Sequence, residues 1–280
     1  MTDKYAVIGN PIAHSKSPQI HRMFAEQTGQ DISYEKIEVA LDGFKEKIDE
    51  LRKEGYKGCN VTVPFKLEAW RLGASTTRAL DAEAVNTLKF ESGEIFGDNT
   101  DGVGLVSDIE QNLGIALKDK RILLVGAGGA AQGVLHPLLE ASQKPLVFKP
   151  LVISNRSPEK AVSLKKSIAQ HERFSLFSVK AVEFGDLNDE QFDVVINATS
   201  AGLKDEMPDI PKTIFAPGAL AYDLMYGRET PFMKFARENG AAIVTDGLGM
   251  LVEQAAESFY IWRGVRPETA PVIAALRKQQ

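Results

Sequence analysis

Arg121-Ile122-Leu123-Leu124-Val125-Gly126-Ala127-Gly128-Gly129-Ala130-Ala131-Gln132-Gly133 passes from an apolar run into a glycine cluster and then into small residues. Arg121 to Val125 predicts a short buried strand flanked by charge, and Ala130 to Leu139 predicts a helix. Gly126, Gly128 and Ala131 fit the spacing G-x-G-x-x-G/A. Gly126 permits a tight turn, Gly128 removes a side chain that would block a pyrophosphate, and Ala131 lets the helix pack closely on the strand. Gly129 and Ala130 lie at the helix entrance, where free N–H groups and the positive dipole end favour a phosphate. A glycine-rich turn alone is a weak signal; strand, turn and helix in this order predict a dinucleotide-binding unit.

Composition sets the outer bounds. A chain of 280 residues is long enough for two ordinary domains. Hydrophobic content of 44% with 25% charged residues is that of a soluble globular protein. A net charge of −5 gives no basic footprint for nucleic acid. No apolar run reaches membrane-span length, and Tyr5 to Gly9 is too short for a signal-peptide core. Cys59 is the only cysteine, which excludes an internal disulfide and a cysteine-rich metal site. The four histidines show no metal-ligand spacing, so no metal is expected. Together these features favour a cytoplasmic protein.

Before the glycine stretch the pattern reads βαβαβα, with strands at Lys4–Gly9, Ile32–Val39 and Lys57–Val63. Ser17 is expected to cap the first helix with Pro18 at its first position, and Asp42 the second. Lys66 to Leu72 starts a third helix. Asn86–Phe90 and Glu94–Phe96 bracket Ser92-Gly93 as a hairpin. A polar loop, Gly97 to Gly102, precedes a helix from about Val103 to Leu113, and a domain boundary is placed there. Further strands are expected near Ile122, Val152, Val179, Val194, Ala221 and Ala242–Thr245. Helices are expected after Ser157, Thr230 and Gly249, with Pro267 starting the last. The Ala141 to Pro150 link is irregular and reads as a longer loop.

The strand ending at Ser154 runs into Asn155-Arg156-Ser157, with Lys160 one helical turn on. An NAD-preferring site usually carries Asp or Glu there to accept from the ribose 2′-hydroxyl. A cation and a hydroxyl instead suit a 2′-phosphate, so NADP is the expected cofactor. Lys66 and Asp101 fall at ends of elements, where a cleft between two α/β domains would open. A lysine beside a carboxylate can pass a proton to an oxyanion forming in a reduced carbonyl. Taken singly, though, an exposed helix-start lysine and an N-cap aspartate are the commoner roles.

Eight segments settle that choice by resemblance. Ser15-Lys16-Ser17-Pro18, Asn60 to Lys66, Ala84 to Thr87, Asn99 to Gly102, Gly126 to Gly133, Asn155 to Ser157, Asn197 to Ser200 and Asp246 to Leu251 resemble the shikimate dehydrogenases. The motifs stand in that family's order and span nearly the whole chain. The resemblance implies reversible NADP-linked reduction of 3-dehydroshikimate to shikimate, on the route to chorismate and the aromatic amino acids. It implies an N-terminal α/β substrate domain with a mostly parallel sheet, a Rossmann-type NADP-binding domain, and C-terminal helices returning to the first. In residues, these are 1–101 with 248–280, and 102–247. Lys66 and Asp101 match the catalytic pair. Ser15 and Ser17 match carboxylate ligands, Asn60, Thr62, Asn86 and Gln254 other substrate-pocket positions, and Tyr222 a tyrosine near the carboxylate. Asn155, Arg156, Ser157 and Lys160 match the adenosine-phosphate side; Thr199, Met225 and Gly247 fall near the nicotinamide.

Three departures stand out. Ser157 replaces a common threonine but keeps the hydroxyl. Lys160 replaces a frequent arginine and keeps only the charge. The Ala141 to Pro150 link is longer than usual. A quinate/shikimate dehydrogenase using NAD or both cofactors would share the motifs, yet would favour an acidic residue near Asn155. A non-catalytic NADP sensor on the same fold would be expected to lose Lys66 or Asp101. Other Rossmann proteins share the glycine loop without the Ser15–Ser17 and Asn60–Lys66 motifs. Oligomeric state, monomer or homodimer, is left open.

Overall fold

The computed structural model describes residues 2–143, 149–188 and 190–279. The irregular stretch singled out between Ala141 and Pro150 lies largely outside the described residues. The chain forms two compact units, Met1–Gly104 with Leu251–Gln279, and Leu105–Met250.

In the first unit, β1 (Asp3–Gly9), α1 (Ser17–Thr28), β2 (Ile32–Glu38), α2 (Phe44–Lys53), β3 (Tyr56–Val61) and α3 (Lys66–Trp70) follow the βαβαβα pattern. Next come β4 (Ala74–Ser75), α4 (Thr77–Ala82), β5 (Thr87–Glu91), β6 (Glu94–Asp98) and α5 (Asp101–Ser107). The sheet order is β2-β1-β3-β5-β6-β4. β1 pairs in parallel with β2 and β3, whereas β5 pairs antiparallel with both β3 and β6, so the sheet is mixed. The reversal is the expected hairpin: Ser92 and Gly93 both have positive φ, as a tight two-residue turn between twisted strands requires. Its core joins Ile8, Phe44, Ile48, Val61, Phe65 and Leu88, with the Phe44 and Phe65 rings stacked at 5.0 Å.

Two cap expectations are corrected, and one element is added. Ser17 is the first residue of α1 rather than its cap; Lys16 occupies the cap position and no side chain caps the helix. Gly43, not Asp42, precedes α2. The element α4 had no sequence-based assignment; Thr76 starts it, its hydroxyl accepting from Ala79 N–H at 3.3 Å.

In the second unit, α5 continues as a π-helical turn, Asp108–Asn112. Then come β7 (Ile122–Val125), α6 (Gly129–Ser142), β8 (Leu151–Ser154), α7 (Pro158–Gln170), β9 (Val179–Val182), β10 (Phe192–Asn197), β11 (Phe215–Asp223), α8 (Pro231–Glu238) and β12 (Ile243–Thr245). All neighbours pair in parallel, in the order β12-β11-β10-β7-β8-β9. This is the doubly wound dinucleotide-binding order, with its topological switch point between β7 and β10. Both faces are covered, so the strands read as continuous apolar runs, as in buried Ile122 to Val125. The chain ends with α9 (Leu248–Arg263) and α10 (Ala270–Arg277). α10 starts at Ala270, three residues past the expected Pro267, with Pro271 in its first turn. α9 contributes Trp262 to the first unit, stacked on Tyr5 at 4.6 Å. Among the described residues no helix is long and apolar enough to cross a membrane.

Candidate active site and nucleotide site

In the first unit, the loops leaving the C-terminal ends of β1 and β3 carry Ser15, Ser17, Thr62 and Lys66. Ligands of parallel α/β sheets gather at this edge. The Ser15 hydroxyl donates to Ser17 Oγ at 3.2 Å and accepts the Ser17 N–H at 3.3 Å. Thr62 is half-buried, its methyl packed under Gly9. Lys66 opens α3, and its ammonium donates to Asp101 Oδ2 at 2.5 Å. Neither side chain is fully enclosed: 27% of the lysine and 13% of the aspartate side chain remain accessible, which leaves room for a third partner. The pairing replaces the separate solvated-lysine and N-cap roles with one shared site.

Asp101 is held from behind. Its other oxygen accepts from Asn86 Nδ2 at 2.7 Å, and its N–H donates to Asn99 Oδ1 at 3.1 Å. The orientation of the Asn86 amide follows from a backbone group: Thr100 N–H can only donate, and it donates to Asn86 Oδ1 at 2.9 Å. The Asn86 nitrogen must therefore face Asp101. Gln254, one turn into α9's part of this unit, accepts from Asn86 Nδ2 at 3.3 Å and donates to Leu251 C=O at 2.8 Å. Gly104 permits this approach, since a Cβ there would lie 2.7 Å from the Gln254 nitrogen. Asn60 faces inward. Its Oδ1 accepts from Tyr34 OH at 2.7 Å, and its Nδ2 donates to Asn86 C=O, Thr87 Oγ1 and Ser258 Oγ.

In the second unit, Gly126 sits at the switch point with φ of +114°. A Cβ there would lie 3.0 Å from the Ala198 backbone, so β7 and β10 close together only over glycine. Gly128 precedes α6, whose start no side chain caps; a Cβ on Gly128 or Gly129 would meet nothing within 4 Å. Ala130 is exposed at the same helix entrance, whereas Ala131 is fully buried against the sheet. A cavity of about 600 Å³ is lined by Gly126, Ala127, Gly128, Asn155, Arg156, Ser157, Lys160 and Thr199, among others. Asn155 donates to Ser157 C=O at 3.1 Å, which shapes the turn, and the Ser157 hydroxyl makes no cap bond to α7. Arg156 and Lys160 are exposed, and among the described residues neither is held in an ion pair. An open N-terminal turn, a gap where side chains are missing and free cations beside it fit a dinucleotide with an extra phosphate.

Comparisons with known proteins give the family. Three family models match: the shikimate dehydrogenase substrate binding domain over residues 7–88, shikimate / quinate 5-dehydrogenase over 108–204, and the shikimate 5'-dehydrogenase C-terminal domain over 247–277. The shikimate dehydrogenase (NADP(+)) of Methylobacillus flagellatus is 60% identical over 276 residues, covering 98% of this chain and 99% of that one. The chain belongs to the shikimate dehydrogenase family. Solved structures share its architecture, two of them as follows. One is an Ael1 enzyme from Pseudomonas putida, 47% identical with a TM-score of 0.89, covering 98% of each chain. The other is the shikimate 5-dehydrogenase of Thermus thermophilus in complex with NADP(H) and shikimate, 31% identical with a TM-score of 0.85 and 100% coverage of both.

Within this member of the shikimate dehydrogenase family, one expected ligand is placed elsewhere. Tyr222 is fully buried in the second unit, where its hydroxyl donates to Asp108 Oδ2 at 2.6 Å and accepts Met250 N–H at 3.2 Å. Burial, then the Asp108 carboxylate, hold its phenol well above the usual range. It packs the sheet and anchors the start of α9, with no free face for a substrate. Tyr226, four residues on, is half-buried just past the end of β11 and was not singled out from sequence.

Asp223 was missed too. It ends β11 and accepts from Thr230 Oγ1 (2.5 Å), Met225 N–H (3.0 Å) and Asn197 Nδ2 (3.2 Å). Burial raises its carboxyl and those hydrogen bonds oppose the rise. Asn197 in turn accepts from the Thr199 hydroxyl at 2.8 Å, and Met225 C=O accepts Gly247 N–H at 2.8 Å. The three residues assigned to the nicotinamide side are thus tied to one buried carboxylate. Gly247 is required there, because a Cβ would lie 2.3 Å from Leu224 C=O. The signal available in sequence was a carboxylate at a strand end.

Proposed function

We propose that the chain catalyses the reversible NADPH-dependent reduction of 3-dehydroshikimate to shikimate, as an oxidoreductase on the way to chorismate and the aromatic amino acids. The observation that carries this reading is the Lys66–Asp101 pair at 2.5 Å, accessible on one side and braced by Asn86 on the other, in a chain of this family. When bound, the nicotinamide supplies or takes the hydride. Negative charge then develops on the substrate's C3 oxygen, where the Lys66 ammonium stabilises it and delivers a proton. Asp101 orients Lys66 and accepts from a substrate hydroxyl. Ser15 and Ser17 offer hydroxyl donors to the carboxylate, and Thr62, Asn86 and Gln254 offer directed partners to the ring hydroxyls. Asn60 supports that set from beneath.

On the cofactor side, Gly126, Gly128, Gly129, Ala130 and Ala131 form the pyrophosphate seat. Asn155, Arg156, Ser157 and Lys160 hold the adenosine 2′-phosphate, and Thr199, Met225 and Gly247 the nicotinamide end. Residues up to about Gly104, with the C-terminal helices, serve as the substrate domain, and the rest as the NADP domain. The protein works in the cytoplasm as a monomer or homodimer, on small molecules, with neither nucleic acid nor membrane as partner.

The test is a nicotinamide absorbance assay with shikimate or quinate, each paired with NADP or NAD. Turnover is expected with shikimate and NADP. Preference for quinate with NAD would overturn the assignment in favour of a quinate/shikimate dehydrogenase.

A further inference from the structure

We infer that Ser258, on α9, is a positioning residue for the Lys66–Asp101 pair, an assignment that rests on the functional reading above. Its hydroxyl is fully buried. It donates to Gln254 C=O at 3.0 Å, a bond that a helical serine often makes with the carbonyl four residues back. A serine with only that role would need no other partner. Ser258 Oγ instead stands 3.0 Å from Asn60 Nδ2, 2.7 Å from Thr87 Oγ1 and 3.3 Å from Thr100 Oγ1. These partners come from β3, β5 and the turn entering α5.

Donor and acceptor accounting gives the hub a direction. Donating to the Gln254 carbonyl leaves the serine oxygen as an acceptor. Asn60 Nδ2 can only donate, and it does so to Ser258 while also facing Asn86 C=O, which fixes the Asn60 amide with its oxygen toward Tyr34. Thr87 has one proton and two acceptors in reach, Ser258 Oγ at 2.7 Å and Asn86 Oδ1 at 2.9 Å. Asn86 Oδ1 also takes Thr100 N–H and the Thr100 hydroxyl. That pairing keeps the Asn86 nitrogen on Asp101 Oδ1, opposite the oxygen that holds Lys66. Ser258 therefore touches no reacting atom and acts through Thr87, Thr100 and Asn86.

Removing the hydroxyl takes one buried partner from the Asn60 amide and from Thr87 and Thr100, the residues next to Asn86 and Asp101, and so loosens the brace behind Asp101. The experiment compares wild type, Ser258→Ala and Ser258→Cys. The cysteine keeps the volume with a weaker acceptor and reports even where the alanine variant folds poorly. Steady-state kinetics with shikimate and NADP are measured beside the melting temperature. In Ser258→Ala, kcat is expected to fall about tenfold while KM for NADP stays within about twofold of wild type. Ser258→Cys should lie between, and adding Thr87→Val to Ser258→Ala should cost less than its separate effect on kcat, because both act on one brace. A lower melting temperature with wild-type kcat and shikimate KM in both single variants would overturn the inference. A wild-type protein inactive on shikimate would overturn the functional reading itself.

Discussion

Lys66 Nζ and Asp101 Oδ2 lie 2.5 Å apart, although 35 residues separate them in the chain. Coming from the start of α3 and the start of α5, the two charges meet at one accessible point. If Lys66 is the proton donor, Lys66→Ala should lower kcat by about 10²–10⁴ while shikimate KM changes far less. Circular dichroism and the melting temperature should stay near wild type, because the lysine is partly exposed. Near-normal kcat in the variant would remove Lys66 from the chemistry.

Arg156 is exposed beside the nucleotide cavity and free of ion pairs among the described residues, so its removal should leave the fold intact. A guanidinium that binds the 2′-phosphate through two parallel hydrogen bonds matters only to a cofactor carrying that phosphate. Arg156→Ala is expected to raise KM for NADPH at least about tenfold and KM for NADH little. Equal effects on both cofactors would place Arg156 outside the phosphate site.

Much of this was legible because the informative signals are local. The strand, turn and helix at Arg121 to Gly133 are set by apolar period and glycine placement, and they appear as read. The hairpin at Ser92-Gly93 is equally local. What sequence hid depends on contacts made far along the chain. Tyr222 is matched to a substrate ligand by resemblance, yet a partner 114 residues away takes its hydroxyl. Ser17 has the chemistry of a helix cap, but Ser15 engages its N–H and hydroxyl. Ser258 sits on a helix between Glu257 and Phe259, and only folding brings Asn60, Thr87 and Thr100 to it.

Two glycines of the nucleotide loop should behave differently when a methyl group is added. Gly126 combines φ of +114° with a Cβ position 3.0 Å from the Ala198 backbone, so Gly126→Ala should destabilise the fold by about 1–3 kcal/mol. Gly128 has ordinary extended backbone and its Cβ would meet nothing within 4 Å. Gly128→Ala should leave denaturant stability within about 0.5 kcal/mol of wild type. If the pyrophosphate occupies that space, the same variant should bind NADPH at least about tenfold more weakly by fluorescence titration. Unchanged binding in Gly128→Ala would move the pyrophosphate off this turn.

Stability should fall in mild acid through two buried histidines. His21 is fully buried and stacked on Tyr34 at 4.2 Å, and neither ring nitrogen has a hydrogen-bond partner. Burial lowers its pKa to about 3, and burial followed by the His171 and Arg173 charges lowers that of His136 to about 4. The ordinary histidine value near 6.5 applies to the unfolded chain. Between the folded and unfolded values the unfolded chain binds more protons, so stability rises with pH across that window. The contribution is complete above the unfolded value and is lost as pH falls toward the folded one. At about pH 5 the loss from His21 is on the order of 2 kcal/mol. His21→Phe keeps an aromatic ring among Phe24, Tyr34, Phe259 and Trp262 and cannot take up a proton. Its melting temperature, relative to wild type, should therefore improve on going from about pH 7.5 to about pH 5. Melting curves that shift in parallel for the two proteins over that range would mean that His21 is not buried as a neutral ring.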